Sequence, residues 1–162
     1  MIIKSILIGD SEVGKTHFIN KILKRKTYRY IPTIGIDYAV YKYRSSKLCI
    51  WDTSGDARFY PIIEKFLFNA PVLICIYKDF KSYTYLNKLL KKIDLKSVEK
   101  IFFINVGKVD GIFDFENTRL YYYNCDLDDY NSCVRCMKMI INTCSKKKLD
   151  VIKKREWCGF WV

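Results

Sequence analysis

The chain has 162 residues, 50% hydrophobic, 16% aromatic and 28% charged, a balance that suits one globular domain and excludes fibrous, collagen-like and disordered classes. No apolar run approaches the ~20 residues of a membrane-spanning helix, and the opening MIIKSILIGD lacks the apolar core and small-residue cleavage site of a signal peptide, so a cytoplasmic protein is expected. Net charge is +12, from 29 basic against 17 acidic residues, which favours anionic partners such as nucleotides, nucleic acid or acidic lipid headgroups. Most of the bases are lysines, without the planar fork that suits arginine to base reading, and Lys, Ile, Asn, Tyr and Phe are plentiful throughout. Nucleic acid is therefore not the expected partner.

Ile2 to Ile8 reads as a first strand, nearly continuous in apolar character, followed by a helix over 15–25. Ala39 to Tyr43 and Leu48 to Trp51 flank Arg44-Ser45-Ser46-Lys47 as a hairpin would. A helix over 57–67 leads to a fourth strand, Val72 to Tyr77, and a helix over 82–94 to a fifth, Ile101 to Val106. The first, fourth and fifth strands are apolar enough to be covered on both faces. Leu120 to Tyr123 is the sixth strand, and 129–145 the last helix, with Val134, Met137, Ile140 and Ile141 on one face. Alternating strands and helices imply an α/β fold with a six-stranded, mostly parallel, doubly wound sheet. The seven cysteines, at 49, 75, 125, 133, 136, 144 and 158, are odd in number and mostly inside apolar segments, as reduced, buried thiols would be.

The first strand ends in Gly9-Asp10-Ser11-Glu12-Val13-Gly14-Lys15-Thr16, a phosphate-loop pattern in its required place between strand and helix. Here glycines let the backbone curl so that N–H groups face phosphates, Lys15 neutralises the outer phosphates, and Thr16 offers a hydroxyl to magnesium. The string GDSEVGKT, Tyr30-Ile31-Pro32-Thr33-Ile34-Gly35-Ile36-Asp37-Tyr38, Trp51-Asp52-Thr53-Ser54-Gly55-Asp56-Ala57-Arg58-Phe59 and Phe66-Leu67-Phe68-Asn69-Ala70 together resemble the Ras superfamily of small GTPases, and the Rab branch most closely. The resemblance implies a switch that binds GTP or GDP with Mg2+ and hydrolyses GTP, with output to effector and regulator proteins through residues 28–38 and 54–66. It implies that Thr16, Thr33 and Asp52 hold the metal, that Thr33 and Gly55 report the third phosphate through their N–H groups, and that Lys15 and Thr33 serve catalysis. A monomeric protein is expected.

Several positions depart from the family pattern. Its catalytic Gln is replaced by Asp56, which has no amide to donate and adds negative charge near an anionic transition state, so hydrolysis should be slow; Arg58 is read as structural. Glu12 stands in the loop where relatives have a small residue, and either turns to solvent or weakens nucleotide binding. In Gly107-Lys108-Val109-Asp110, Lys108 and Asp110 match the family's NKxD, keeping guanine preference, while Gly107 replaces its Asn. The SAK motif falls at Cys125-Asp126-Leu127 and keeps no residue, although backbone N–H groups there could still reach the guanine oxygen. The short stretch between Asp110 and Cys125 implies that the helix relatives carry there is reduced or absent, leaving four to five helices. Tyr28 is a candidate for covering the base. Such losses keep a second reading open: a degenerate GTPase-fold module acting as decoy or scaffold for Rab partners.

Cys133-Val134-Arg135-Cys136 has zinc or redox spacing but lies in a helix without a second pair, and Tyr121-Tyr122-Tyr123 alternates across a strand; both read as structural. The GTPase domain is assigned to 1–145 and a basic, aromatic-ended tail to 146–162, a composition that suits peripheral contact with an anionic membrane. The position fourth from the end is Gly159, so no prenylation is expected.

Overall fold

The structure is a computed structural model that describes residues 1–26, 31–107, 109 and 119–146. Tyr28, Tyr30, Lys108, Asp110, the segment of the reduced helix and the tail beyond 146 lie outside the described residues. Strands are β1 (Ile2–Ile8), β2 (Ile36–Tyr43), β3 (Ser46–Thr53), β4 (Val72–Tyr77), β5 (Lys100–Asn105) and β6 (Arg119–Asn124). Helices are α1 (Lys15–Ile22), α2 (Tyr60–Leu67, entered through a 3-10 turn at Ala57–Phe59), α3 (Phe80–Leu90) and α4 (Tyr130–Ser145).

All six strands form one sheet in the order β2-β3-β1-β4-β5-β6, the α/β arrangement expected. β2 runs antiparallel to β3, and every other neighbouring pair is parallel. Side chains alternate across the sheet and feed two cores. Val72, Ile74 and Ile76 of β4 join Phe102 and Ile104 of β5 under α1 and α4, against Phe18, Ile22, Met137 and Ile140. Leu73, Cys75 and Tyr77 join Ile101 and Phe103 on the opposite face, against Ile63 and Leu67 of α2 and Leu86 and Leu89 of α3. Two covered faces explain why these strands read as unbroken apolar runs.

Tyr121 and Tyr123 stack on Phe102, at ring-centroid distances of 4.9 and 6.1 Å, while Tyr122 stacks on Phe103 at 5.2 Å on the other face. The three tyrosines are thus divided between the two layers. Cys75, Cys125, Cys133 and Cys136 are buried thiols, but Cys49 and Cys144 are only half-buried, and all six are free. Among the described residues no helix is long and apolar enough to cross a membrane.

Several boundaries differ from expectation for identifiable reasons. β2 starts at Ile36 because the antiparallel ladder continues to the Ile36–Thr53 pair, beyond the apolar alternation. α1 stops at Ile22 because Lys24 turns left-handed, φ 54°, a terminator normally supplied by glycine. α3 starts at Phe80 because Asp79 and Ser82 form a reciprocal capping box.

Candidate functional site

β1 delivers the chain to Gly9, and the loop turns back into α1 through Gly14 at φ 96°, a conformation that disfavours a side chain. Glu12 also has positive φ, 61°, and is exposed at the rim of the loop. Val13 is buried beneath it, anchoring the turn in the core under α1. Asp10 Oδ1 accepts the Ser11 N–H at 2.8 Å. Lys15 enters α1 with its side chain folded back along the loop, Nζ donating to the Gly9 and Asp10 carbonyls at 2.9 and 2.7 Å. Only 6% of Lys15 is exposed. Burial pulls its ammonium down to about 8, against the opposing charges of Asp52 and Asp10.

Thr16, next along α1, donates its hydroxyl to Asp52 Oδ2 at 2.6 Å and lies 2.9 Å from the Thr33 hydroxyl. Asp52 sits near the end of β3, opposite Leu7 of β1, and is 2% exposed. Burial raises its carboxyl to about 6, while the Thr16 hydrogen bond and the Lys15 charge pull the other way. Asp52 Oδ1 is buried without a hydrogen-bond partner. An orphaned carboxylate oxygen beside two hydroxyls is a set of hard oxygen donors, and these residues fit Mg2+.

Residues 33 and 55 arrive from the two loops flanking the β2–β3 hairpin. Ser54 N–H donates to the Gly35 carbonyl at 2.8 Å, joining those loops. Gly55 lies directly on the phosphate loop, and a Cβ there would strike the Ser11 backbone nitrogen. Its carbonyl accepts the Tyr85 hydroxyl from α3 at 3.0 Å. Asp56 caps the 3-10 turn through the Arg58 N–H at 2.9 Å and grips the Arg58 guanidinium at 2.9 and 2.6 Å. Those bonds hold its carboxyl below the usual range. The carboxylate at the family's glutamine position is therefore committed to Arg58.

On the base side, two backbone donors of the Cys125-Asp126-Leu127 segment have partners within the fold. The Cys125 N–H donates to the Asn105 carbonyl at 2.9 Å and the Asp126 N–H to Ser132 Oγ at 3.0 Å. The cause is α4, whose first turn brings Ser132 beneath the loop, while β6 continues its pairing with β5.

A cavity of about 750 Å³ joins Ser11, Glu12, Gly14, Lys15, Thr16, Thr33 and Gly55, a volume in the range of ligand sites. It gathers residues from the loop and both flanking segments, with Asp52 below its floor. Sequence reasoning missed His17 and Asn20, which also line it. Their signal is spacing: His17 and Asn20 stand three apart in α1, three and six residues beyond Gly14, its N-cap.

The sheet order, the loop between β1 and α1 and the acid at the end of β3 define a phosphate-loop nucleotide-binding fold. The family described as "Ras of Complex, Roc, domain of DAPkinase" matches residues 4–110; the chain belongs to this family of Ras-type GTPase domains, as a divergent member of the Ras superfamily close to Rab. The GTP-binding protein ypt1 of Schizosaccharomyces pombe is 33% identical over 118 residues, covering 68% of this chain and 58% of the relative. The Ras-related protein Rab-10 of Caenorhabditis elegans is 34% identical over 108 residues, covering 62% and 54%. The chain thus spans about half the length of the curated relatives it matches. Among solved structures, the Arl6 BBS3 small GTPase of Trypanosoma brucei, with bound nucleotide analogue GppNp, aligns with a TM-score of 0.70 over 90% of this chain and 98% of that one. At 13% identity it speaks for the fold alone.

Proposed function

We propose that the chain is a Rab-type switch that binds GTP or GDP with Mg2+, hydrolyses GTP slowly, and signals through residues 28–38 and 54–66. The observation that carries this reading is the buried Lys15 ammonium, held on the Gly9 and Asp10 carbonyls, together with the Thr16–Thr33–Asp52 cluster, whose Asp52 Oδ1 has no partner. A desolvated ammonium and a desolvated carboxylate are costly to keep and are compensated when phosphate and metal supply their missing charges. Lys15 exchanges the Gly9 and Asp10 carbonyls for phosphate oxygens, and Thr16, Thr33 and Asp52 hold the metal. Bound Mg2+ neutralises phosphate charge. Gly55, lying against the loop at Ser11, offers its N–H to a third phosphate when one enters, and the hairpin's flanking loops rearrange with it. Effectors and regulators read that change, and the basic tail serves for peripheral membrane contact.

Slow hydrolysis follows from Asp56, which is engaged by Arg58 and carries no donor for the attacking water. Guanine selectivity rests on Asp110 with Lys108 over the base. The test is the nucleotide content of the purified protein, followed by titration with GTP, GDP and ATP with and without magnesium. Magnesium-dependent binding of guanine nucleotides alone, abolished by Lys15→Ala, is expected. The second reading, a degenerate module that serves as decoy or scaffold, is favoured by Asp56, by Gly107 and by the lost SAK motif at Cys125-Asp126-Leu127. Absence of all nucleotide binding would establish it over the first.

A further inference from the structure

Two unusual features of the base side lie against each other. Gly107 stands where the family has asparagine, and a Cβ there would run into the backbone carbonyl of Lys78, the first residue after β4. Lys78 is fixed in that place: its N–H and that of Asp79 both donate to Ser82 Oγ at 3.0 Å, and Ser82 is buried in the first turn of α3. From there the side chain crosses to the phosphate loop, with Nζ donating to the Glu12 carbonyl at 3.0 Å. Glu12 is the loop residue held at φ 61°, a conformation that a residue with a side chain keeps only when its surroundings impose it.

Asn105, the last residue of β5, completes the connection. Its Oδ1 accepts the Gly107 N–H at 3.0 Å and its Nδ2 donates to the Val109 carbonyl at 2.8 Å. Its own carbonyl takes the Cys125 N–H, while Val106 N–H binds the Tyr77 carbonyl, each at 2.9 Å. A continuous chain of hydrogen bonds and close backbone contact therefore runs from the phosphate loop through Lys78, Gly107 and Asn105 to Cys125.

We infer that Lys78 and Asn105 are positioning residues for the nucleotide, tying the phosphate loop to the base-side loops where the side chain absent at Gly107 cannot. The inference rests on the nucleotide-binding reading above. Gly107 is then a requirement of the arrangement, because only a residue without Cβ lets the Lys78 backbone lie against the base loop. Neither residue falls in a family motif, and the Lys78–Glu12 contact joins positions 66 apart.

The full chain is tested in two ways: amide hydrogen exchange of residues 9–14 without nucleotide, and release of a fluorescent GDP with magnesium. Lys78→Met, which keeps length and removes charge, is expected to speed both exchange and release by about tenfold, as fits loss of one charge-assisted hydrogen bond. Lys78→Arg is expected to rescue both. Asn105→Ala is expected to speed release. Gly107→Asn is expected to release faster or fail to fold, either result supporting the close approach. Unchanged exchange and release in Lys78→Met, or slower release in Gly107→Asn, would overturn the inference. Should the wild type hold no guanine nucleotide, the switch reading falls, while unchanged exchange in Lys78→Met still decides separately against the tether.

Discussion

Gly55 and Asp56 are adjacent yet do opposite things. Gly55 touches the phosphate loop through bare backbone, so Gly55→Ala must lift residues 54–56 away from Ser11; calorimetric titration should show the preference between GTP and GDP change by about tenfold, one lost hydrogen bond's worth. Asp56 instead faces Arg58. Asp56→Gln removes that ion pair and supplies an amide, and single-turnover hydrolysis of GTP is expected to rise about tenfold or more. An unchanged rate would mean that another group limits the step. Lys15 and Thr16 were legible because the phosphate-loop pattern is local, and Thr33 and Asp52 because they stand at family spacing. Tyr85 and Lys78 were not, since their partners Gly55 and Glu12 lie 30 and 66 positions away and leave no trace in any short window.

Among the elements, the strands were read well where burial is continuous and less well where pairing alone extends them. β4 coincides with its apolar run, whereas β2 opens on a half-buried Ile36 and the exposed Asp37 and Tyr38, which belong to the strand through their pairing with β3. The end of α1 was hidden for a different reason: Lys24 adopts the left-handed turn without the glycine that would advertise it. The caps of α3 and α4 were not read, although each is an aspartate standing just before its helix. Asp129 accepts from the Asn131 and Ser132 N–H groups, and Asp129→Ala should cost about 1 kcal/mol, lowering Tm by roughly 2–4 °C in a chain of this size. Asp79 caps α3 in a similar way, and its carboxyl is held below 3.8 by the Ser82 N–H and then the Ser82 hydroxyl. Its contribution is therefore present above the ordinary carboxylate range and lost as pH falls through the lowered value.

For the whole molecule, the two cores share one sheet, so a cavity opened in a central strand is felt where strands and helices meet. Phe102 is fully buried and supports Tyr121 and Tyr123; Phe102→Ala should cost about 3–5 kcal/mol in urea unfolding. Self-repulsion at a net charge of +12 should make thermal stability rise with added sodium chloride between low and physiological ionic strength. A flat or falling Tm would show that local ion pairs outweigh the net charge.

The connectivity of the sheet also orders events in time. β2 and β3 join through Arg44 and Ser45, so this ribbon closes with little loop entropy, while each parallel neighbour must await an intervening crossover. During synthesis β1 emerges first but has no partner until β3 follows, and the ribbon then presents a ready edge to it. The strand that starts the phosphate loop is thereby templated by the segment bearing Asp52, and the hydrogen-bonded Thr16 and Asp52 are brought together at the first parallel pairing the chain completes.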